Sequence, residues 1–372
     1  MEALFENILN ITDPILFLKQ LAMWVIGGIL IFLAIKKKME PTLLLPMCFG
    51  AIIMNIPAPE GEGISVTLGE LYEMGISNEL FPLILFIGIG AMIDFGPILS
   101  NPKLMIFGAA AQFGIFMTLS LASMFFTLPE AASIAIIGAA DGPTSIVVAG
   151  KLAPQLLGPI AVAAYSYMAL VPIVQPPVIK AITTKKERCI RMAYKPGSVS
   201  KLTRILFPIV VSILAALFAP GASALVGFLM FGNLIRECTV LDSLSETAQN
   251  VLANLITIFL GISVAFKMQA NDFLTVGTLL ILGLGLFAFI FDTFGGVMLA
   301  KIMNIFLPEG KKINPMIGAA GISAFPMSAR IVNKMGLEAD NQNYLLMHAV
   351  GANVSGQVAS VIAGGLILSM FS

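Results

Sequence analysis

Residues 137–152 read IGAADGPTSIVVAGKL, and 180 residues later positions 317–330 open on the same four letters, IGAAGISAFPMSAR. In the first stretch Asp141 stands in an apolar run, fenced by Gly138, Gly142 and Pro143. A charged side chain at mid-membrane depth costs about 2.5–3.5 kcal/mol on insertion scales, so by default it marks an ion pathway or a proton relay. Proline next to glycine breaks a helix, and a broken helix frees carbonyl oxygens. Together with the carboxylate and the hydroxyls of Thr144 and Ser145, these make an all-oxygen shell suited to a hard cation and poorly suited to a transition metal. The plainer account is an aspartate capping the helix that follows it, although a serine would do that without the charge.

Composition explains why the depth matters. Hydrophobic residues make up 58% of the 372 positions and charged residues 11%, against about 45–50% and 25% in soluble domains. The chain therefore reads as a polytopic, multi-pass membrane protein with lipid as its surroundings. Net charge is zero, so no nucleic-acid footprint is present. The start, MEALFENILNITDP, is acidic and lacks the basic region of a cleavable signal. Cys48, Cys189 and Cys238 have neither CxxC nor metal-ligand spacing, and His348 reads as a packed helix residue.

Apolar runs lie near 20–35, 42–57, 80–99, 104–127, 131–150, 156–179, 205–219, 223–235, 248–266, 273–294, 313–329 and 343–370. Several are shorter than the roughly 20 residues of a full span, which in a transporter points to the binding site. Three echoes share one order and nearly one offset. MCFGAII around Phe49 returns as LMFGNLI around Phe231, ILFIGIG around Phe86 as TIFLGIS around Phe259, and IGAA at Ile137 as IGAA at Ile317.

Charge sets the orientation of the two halves. Lys36, Lys37 and Lys38 place the end of the first helix in the cytoplasm. Segment 58–79 has five glutamates and no Lys or Arg. Lys180, Lys185, Lys186, Arg188, Arg191, Lys195, Lys201 and Arg204 crowd 180–204. That cluster reaches the cytoplasm only if 131–152 dips into the bilayer and returns, a re-entrant hairpin broken at DGPT. A second hairpin, 313–336, then enters from the cytoplasmic side behind Lys311 and Lys312, and Lys267 is left facing outward. The expected fold is an all-α polytopic membrane protein of two inverted-topology repeats with two opposed broken hairpins, as in secondary transporters of the elevator kind. Its parts are an N-terminal helix (1–40), the first repeat (41–180), a basic loop with a linking helix (181–221) and the second repeat (222–372).

Other polar residues fall around the hairpins. Asn314, Ser323 and Ser328 offer neutral oxygens in the second. Arg330 either snorkels to the interface or binds an anionic substrate group. Tyr165 and Tyr167 are candidates for an interfacial belt, and Tyr167 also lies close enough in sequence to give Asp141 a hydroxyl. In GANVSGQVAS, Asn353 is a further candidate, while Ser355 and Ser360 read as small residues for close helix packing. Asp94 and Asp292 read as interfacial helix-end residues.

GAADGPTSIVVAGKLAP (138–154), AVAAYSYMALVPIVQPP (161–177) and INPMIGAAGISAFPMSARIVNKMGLEADNQNYLLMHAVGANVSG (313–356) resemble the integral-membrane β subunit of sodium-pumping biotin-dependent decarboxylases, over nearly the whole chain. The family includes oxaloacetate, methylmalonyl-CoA, glutaconyl-CoA and malonate systems. The compact N-terminal region looks more like the methylmalonyl-CoA and glutaconyl-CoA members. The resemblance implies a translocase subunit that decarboxylates carboxybiotin while Na⁺ crosses outward and a proton is consumed. Its partners are then a carboxyltransferase α subunit, a biotin carrier γ subunit and a small membrane-anchored δ-type subunit. Carboxybiotin comes from the carrier, because no lysine here lies between two methionines. The resemblance also implies catalytic roles for Asp141, Tyr167 and Arg330, with Arg330 on the carboxybiotin carboxylate, and sodium binding by Asp141, Asn314, Gly318, Ser323 and Asn353. Composition and repeats alone also admit a Na⁺-coupled transporter or Na⁺/H⁺ antiporter without chemistry. Self-association is left open.

Overall fold

The computed structural model describes residues 13–37, 41–58, 63–193 and 199–371. Residues 1–12, Lys38, Glu60, Glu62 and Lys195, and the side chain of Lys37, lie outside the described residues. The described chain is helical and contains no strand. We label the principal helices α1 (Pro14–Lys37), α2 (Pro41–Met54), α3 (Ile64–Tyr72), α4 (Leu80–Met92), α5 (Met105–Ala111), α6 (Phe113–Ala122), α7 (Leu128–Ala135), α8 (Gly142–Leu152) and α9 (Leu157–Ile182). Then follow α10 (Lys201–Phe218), α11 (Ser223–Glu237), α12 (Asp242–Thr247), α13 (Ala253–Val264), α14 (Val276–Phe306), α15 (Met316–Ala319), α16 (Met327–Ala339) and α17 (Leu346–Phe371).

Among the described residues, seven helical stretches are long and apolar enough to cross a membrane. Two of them, α1 and α10, turn most of their apolar side chains outward, the pattern of peripheral helices in a solvent as oily as leucine. The helices around Asp141 are instead short and interrupted. A capping box formed by Thr127 and Glu130 starts α7, with Pro129 in its first turn. A 3₁₀ turn, Ile136–Ala139, tightens its end, and Ala140 takes a left-handed conformation at φ 52°. Such a residue costs of order 1–3 kcal/mol and persists only where its surroundings over-determine it. Asp141 is extended, and Pro143, whose missing N–H is tolerated there, sits in the first turn of α8.

The segment 128–152 doubles back on itself. Gln155, just beyond α8, donates to Glu130 at the start of α7 (3.0 Å), and Lys151 pairs with Glu79 at the head of α4 (2.8 Å). The second broken element behaves in the same way. Asn314, before α15, and Asn343, after α16, both donate to the Arg188 carbonyl (2.9 and 2.8 Å). Each break thus forms the tip of a helical hairpin. The tips touch: the Ser323 amide donates to the Ala139 carbonyl (3.2 Å).

The flanking helices have definite directions. Along α2 and the loop after it, residues 43–47 meet Gly261, Gly50 meets Ile262 and Ala265, and Asn55 bonds Met268 and Ala270, so α2 and α13 run parallel. Phe81 stacks on Phe259 while Gly88 meets Ala253, so α4 and α13 run antiparallel. Lys267, left facing outward by the charge pattern, lies over the Tyr72 and Phe266 rings at 4.9 and 5.5 Å. Cation–π contact of this kind offsets part of the cost of the stray cation.

One expectation is corrected. Asp292 is not at a helix end: it lies in the middle of α14 and is wholly buried. A continuous 31-residue helix runs well past the end of the 273–294 apolar run, which moves its carboxylate inward. Asp94, by contrast, stands just beyond α4, half-exposed and 3.7 Å from Arg204.

Candidate functional site

Asp141 sits in the capping position of α8 but makes no side-chain bond to the helix amides. Its Oδ2 instead accepts hydrogen bonds from Thr144 Oγ1 (2.8 Å) and from Ser360 Oγ on α17 (2.9 Å). Ser145 Oγ bonds the Asp141 carbonyl (2.9 Å). The capping account therefore leaves the carboxylate unexplained. Hydrogen bonds to an ionised acceptor are roughly twice as strong as neutral ones, and two hydroxyls converge on this oxygen.

One face of α17 serves both breaks. Asn353 donates to Ile322 (2.6 Å), Gln357 to the Ser323 carbonyl, and Ser360 to Asp141. Their spacing of four and three residues places all three on one side of a helix. Ser323 Oγ and Asn353 Oδ1 are buried without a hydrogen bond. Oxygens left in this state beside a carboxylate are what a cation shell needs.

Asp141, Ser323 and Gln357 also line a cavity of about 290 Å³, at the lower end of the range for small-molecule sites. Its opposite wall comes from α2, α4 and α13, including Thr257, and Thr42, Met92 and Asn254 are exposed at its rim. Tyr165 lines it too, its ring against Gly142, where a Cβ would lie 2.1 Å from the ring. Glycine at 142 is thus required by close approach.

The remaining candidates fall elsewhere. The Tyr167 hydroxyl donates to the Leu282 carbonyl on α14, so Tyr165, two residues earlier, is the tyrosine beside Asp141. Residues 165 and 167 point to different sides of α9 because two residues advance the helix by about 200°. Asn314 is spent on structure: its amide bonds Arg188 and Ile190 and its oxygen the Met316 amide. Gly318 packs against Gly296 so closely that a Cβ would lie 1.9 Å from the Gly296 carbonyl; it brings the hairpin onto α14 and does not reach the cavity. Arg330 is exposed on α16 and does not line the cavity. Ser355 bonds Leu104 (3.0 Å) and fits the packing role, but Ser360 does not. Ser360, Gln357 and Thr144 complete the site. The seven-residue step from Asn353 to Ser360 was the signal in the sequence for the first two.

A buried carboxylate held by hydroxyls where two broken helical segments meet, in a chain whose described residues include seven apolar helices long enough to span, defines a polytopic helical membrane protein. Within that class the chain belongs to the family of Na⁺-transporting oxaloacetate decarboxylase beta subunits, which it matches over residues 19–371. It is 47% identical to the oxaloacetate decarboxylase beta chain of Klebsiella pneumoniae over 94% of each chain. It is 49% identical to the methylmalonyl-CoA decarboxylase subunit beta of Propionigenium modestum, again over 94% of each. Identity to the Veillonella parvula methylmalonyl-CoA decarboxylase subunit beta is 50%, over 94% of this chain and 92% of that one.

Proposed function

We propose that this chain decarboxylates carboxybiotin delivered by a partner carrier and moves Na⁺ outward across the cytoplasmic membrane, with Asp141 as the group shared between Na⁺ and H⁺. The observation that carries the reading is the meeting of Asp141, which lines the cavity, with the Ser360 and Thr144 hydroxyls. A carboxylate buried there requires a compensating positive charge. Sodium supplies one, held by the Asp141 oxygens with Ser323 and Asn353 as neutral ligands. A proton supplies the other.

The chemistry gives that proton a destination. In carboxybiotin the N–CO₂ bond breaks, its electron pair returns to the ureido nitrogen, CO₂ leaves and the nitrogen takes a proton. Arrival of Na⁺ at Asp141 displaces the proton toward the cavity, where the ureido ring sits, and export of Na⁺ lets the site be reprotonated. In this reading Gln357 and Tyr165 orient the ring, and neither Tyr167 nor Arg330 touches it. Exporting a unit charge against the membrane potential costs roughly 2.3 kcal/mol per 100 mV, which the decarboxylation supplies.

The architecture we infer is two inverted repeats, 41–180 and 222–372, joined by the basic loop and α10. Supporting this, the repeat-equivalent helices α4 and α13 run antiparallel, and both hairpins return to their starting level. The basic residues around Arg188 then set the mouth of the second hairpin in the cytoplasm. The soluble transferase, carrier and small anchoring subunits are assigned on the family's pattern. The aligned length with the Veillonella protein is 351 positions and with the Klebsiella protein 411, against 372 residues here. The oxaloacetate-type chain thus carries insertions that this one lacks, which favours an acyl-CoA parent acid.

Decarboxylation of free carboxybiotin by the assembled complex, with and without Na⁺, tests the proposal. Wild type is expected to release CO₂ in a Na⁺-dependent way and Asp141→Asn to lose it. Turnover indifferent to both sodium and the substitution sinks the reading and leaves transport without chemistry.

A further inference from the structure

Asp292 is the most deeply buried carboxylate that the Asp141 site does not use. It is 0% exposed at the middle of α14. Two glycines make room for it. A Cβ at Gly114 on α6 would lie 2.3 Å from its Oδ1, and a Cβ at Gly138, in the 3₁₀ turn of the first hairpin, 2.6 Å from its Oδ2. The chain breaks at Gln112 between α5 and α6, which turns the Gly114 and Ile115 amides toward the carboxyl. Neither oxygen closes a hydrogen bond with them.

No counter-charge is built in. Helices α5, α6 and α15, all packed on α14, carry no titratable side chain. The first hairpin brings Asp141 beyond its tip, with Glu130 partly exposed at its base. From α9 come Tyr165, Tyr167 and, at its exposed end, Lys180. On α14 itself, Lys301 is more than two turns away and bonded to Ile182 and Glu187. The amides at the start of α6 offer at most about half an elementary charge, too little to hold a carboxylate away from water. The Ala288 carbonyl, one turn earlier on α14, opens into the same crevice.

We propose that Asp292 is a second proton-binding site of this chain, separate from Asp141, whose protonation holds the first hairpin against α14. The ligand is a proton, and the acid form is the one compatible with Gly138 lying on the carboxyl. Separating hairpin and helix admits water and lets Asp292 ionise, with the α6 amides receiving the anion. Because the two arrangements bind the proton with different affinity, proton occupancy and hairpin position are linked. This inference does not depend on the assignment of Asp141.

Infrared spectroscopy of the full-length chain, purified in detergent with ¹³C-carboxyl aspartate, tests it. At pH 8 and saturating Na⁺, the stretch of a protonated aspartic acid is expected in wild type, retained in Asp141→Asn and lost when Asp292→Asn is added to Asp141→Asn. Should Asp292→Asn fail to fold, Asp141→Asn decides alone, since Asp13, Asp94, Asp242, Asp272 and Asp340 are all at least partly exposed and Asp292 is then the one wholly buried aspartate among the described residues. Amide exchange of residues 136–140, corrected for its intrinsic pH dependence, is expected to rise with pH in wild type and to stay flat in Asp292→Asn. Absence of the acid band in Asp141→Asn, its survival when Asp292→Asn is combined with Asp141→Asn, or equal exchange profiles in wild type and Asp292→Asn overturns the proposal.

Discussion

Ser360 and Thr144 show how single hydroxyls set the character of a buried carboxylate. Each donates to Asp141 Oδ2, and a hydrogen bond to a charged group contributes about 1.5–3 kcal/mol, or about 10- to 100-fold in an equilibrium constant. Ser360→Ala is therefore expected to raise the Na⁺ concentration needed for half-maximal CO₂ release by at least 10-fold, whereas Ser355→Ala, whose hydroxyl bonds Leu104, leaves it unchanged. A sodium titration of the two variants checks this, and equal half-saturation points would remove Ser360 from the site. Asp141→Asn keeps the shape and removes the charge, so the sodium response itself is expected to vanish.

At the scale of elements, the hairpins depend on contacts too close for any side chain. Gly318→Ala puts a Cβ about where the Gly296 carbonyl lies. Overpacking of this kind costs typically about 1–3 kcal/mol, so the variant is expected to melt earlier and to lose turnover without any change to Asp141's own ligands; an unaltered thermal midpoint would show that the hairpin does not need this approach. Beyond the base of the second hairpin, Arg191 forks onto Asp340 at the end of α16 with contacts of 2.5 and 2.9 Å. The guanidinium's hydrogen bonds hold the Asp340 carboxyl below its ordinary value. A depressed carboxyl stabilises the folded form above its unfolded pKa, near about 3.9, and that contribution is lost as pH falls through the lower folded value. Amide exchange in 188–193 is thus expected to be faster in Asp340→Asn than in wild type at pH 7, with the difference closing below about pH 3.9. A difference constant with pH would mean that Arg191 holds this loop through something other than charge.

The whole molecule makes a prediction about sides. Lys151, paired with Glu79, and Lys186, in the basic segment before Arg188, mark opposite faces if the halves are inverted. In a background without Cys48, Cys189 and Cys238, a cysteine at position 151 is expected to react with an impermeant thiol reagent from outside intact cells. A cysteine at 186 is expected to react only after permeabilisation. Reaction of position 186 from outside, with 151 reached only after permeabilisation, would require 128–152 to cross the membrane. The cavity adds to this picture, since one wall is hairpin and the other is α2, α4 and α13.

Much of this was legible in order and composition alone. The membrane class, the three repeated motifs, the break at Asp141-Gly142-Pro143 and the polar positions Asp141, Ser323 and Asn353 that the fold buries around it are local or periodic features, and hydrophobicity and proline act where they stand in the chain. What the tertiary structure decided concerns pairs far apart in sequence. Ser360 meets Asp141 across 219 residues, Tyr165 displaces Tyr167 at the cavity, Asn314 is consumed as an anchor, Arg330 turns outward and Asp292 moves from a helix end into the core. A hydroxyl on a glycine-rich helix looks the same whether it packs or donates, and an aspartate closing an apolar run looks interfacial until the helix is seen to continue. Their roles depend on which backbone arrives opposite, and that is set by packing between helices that no local pattern encodes.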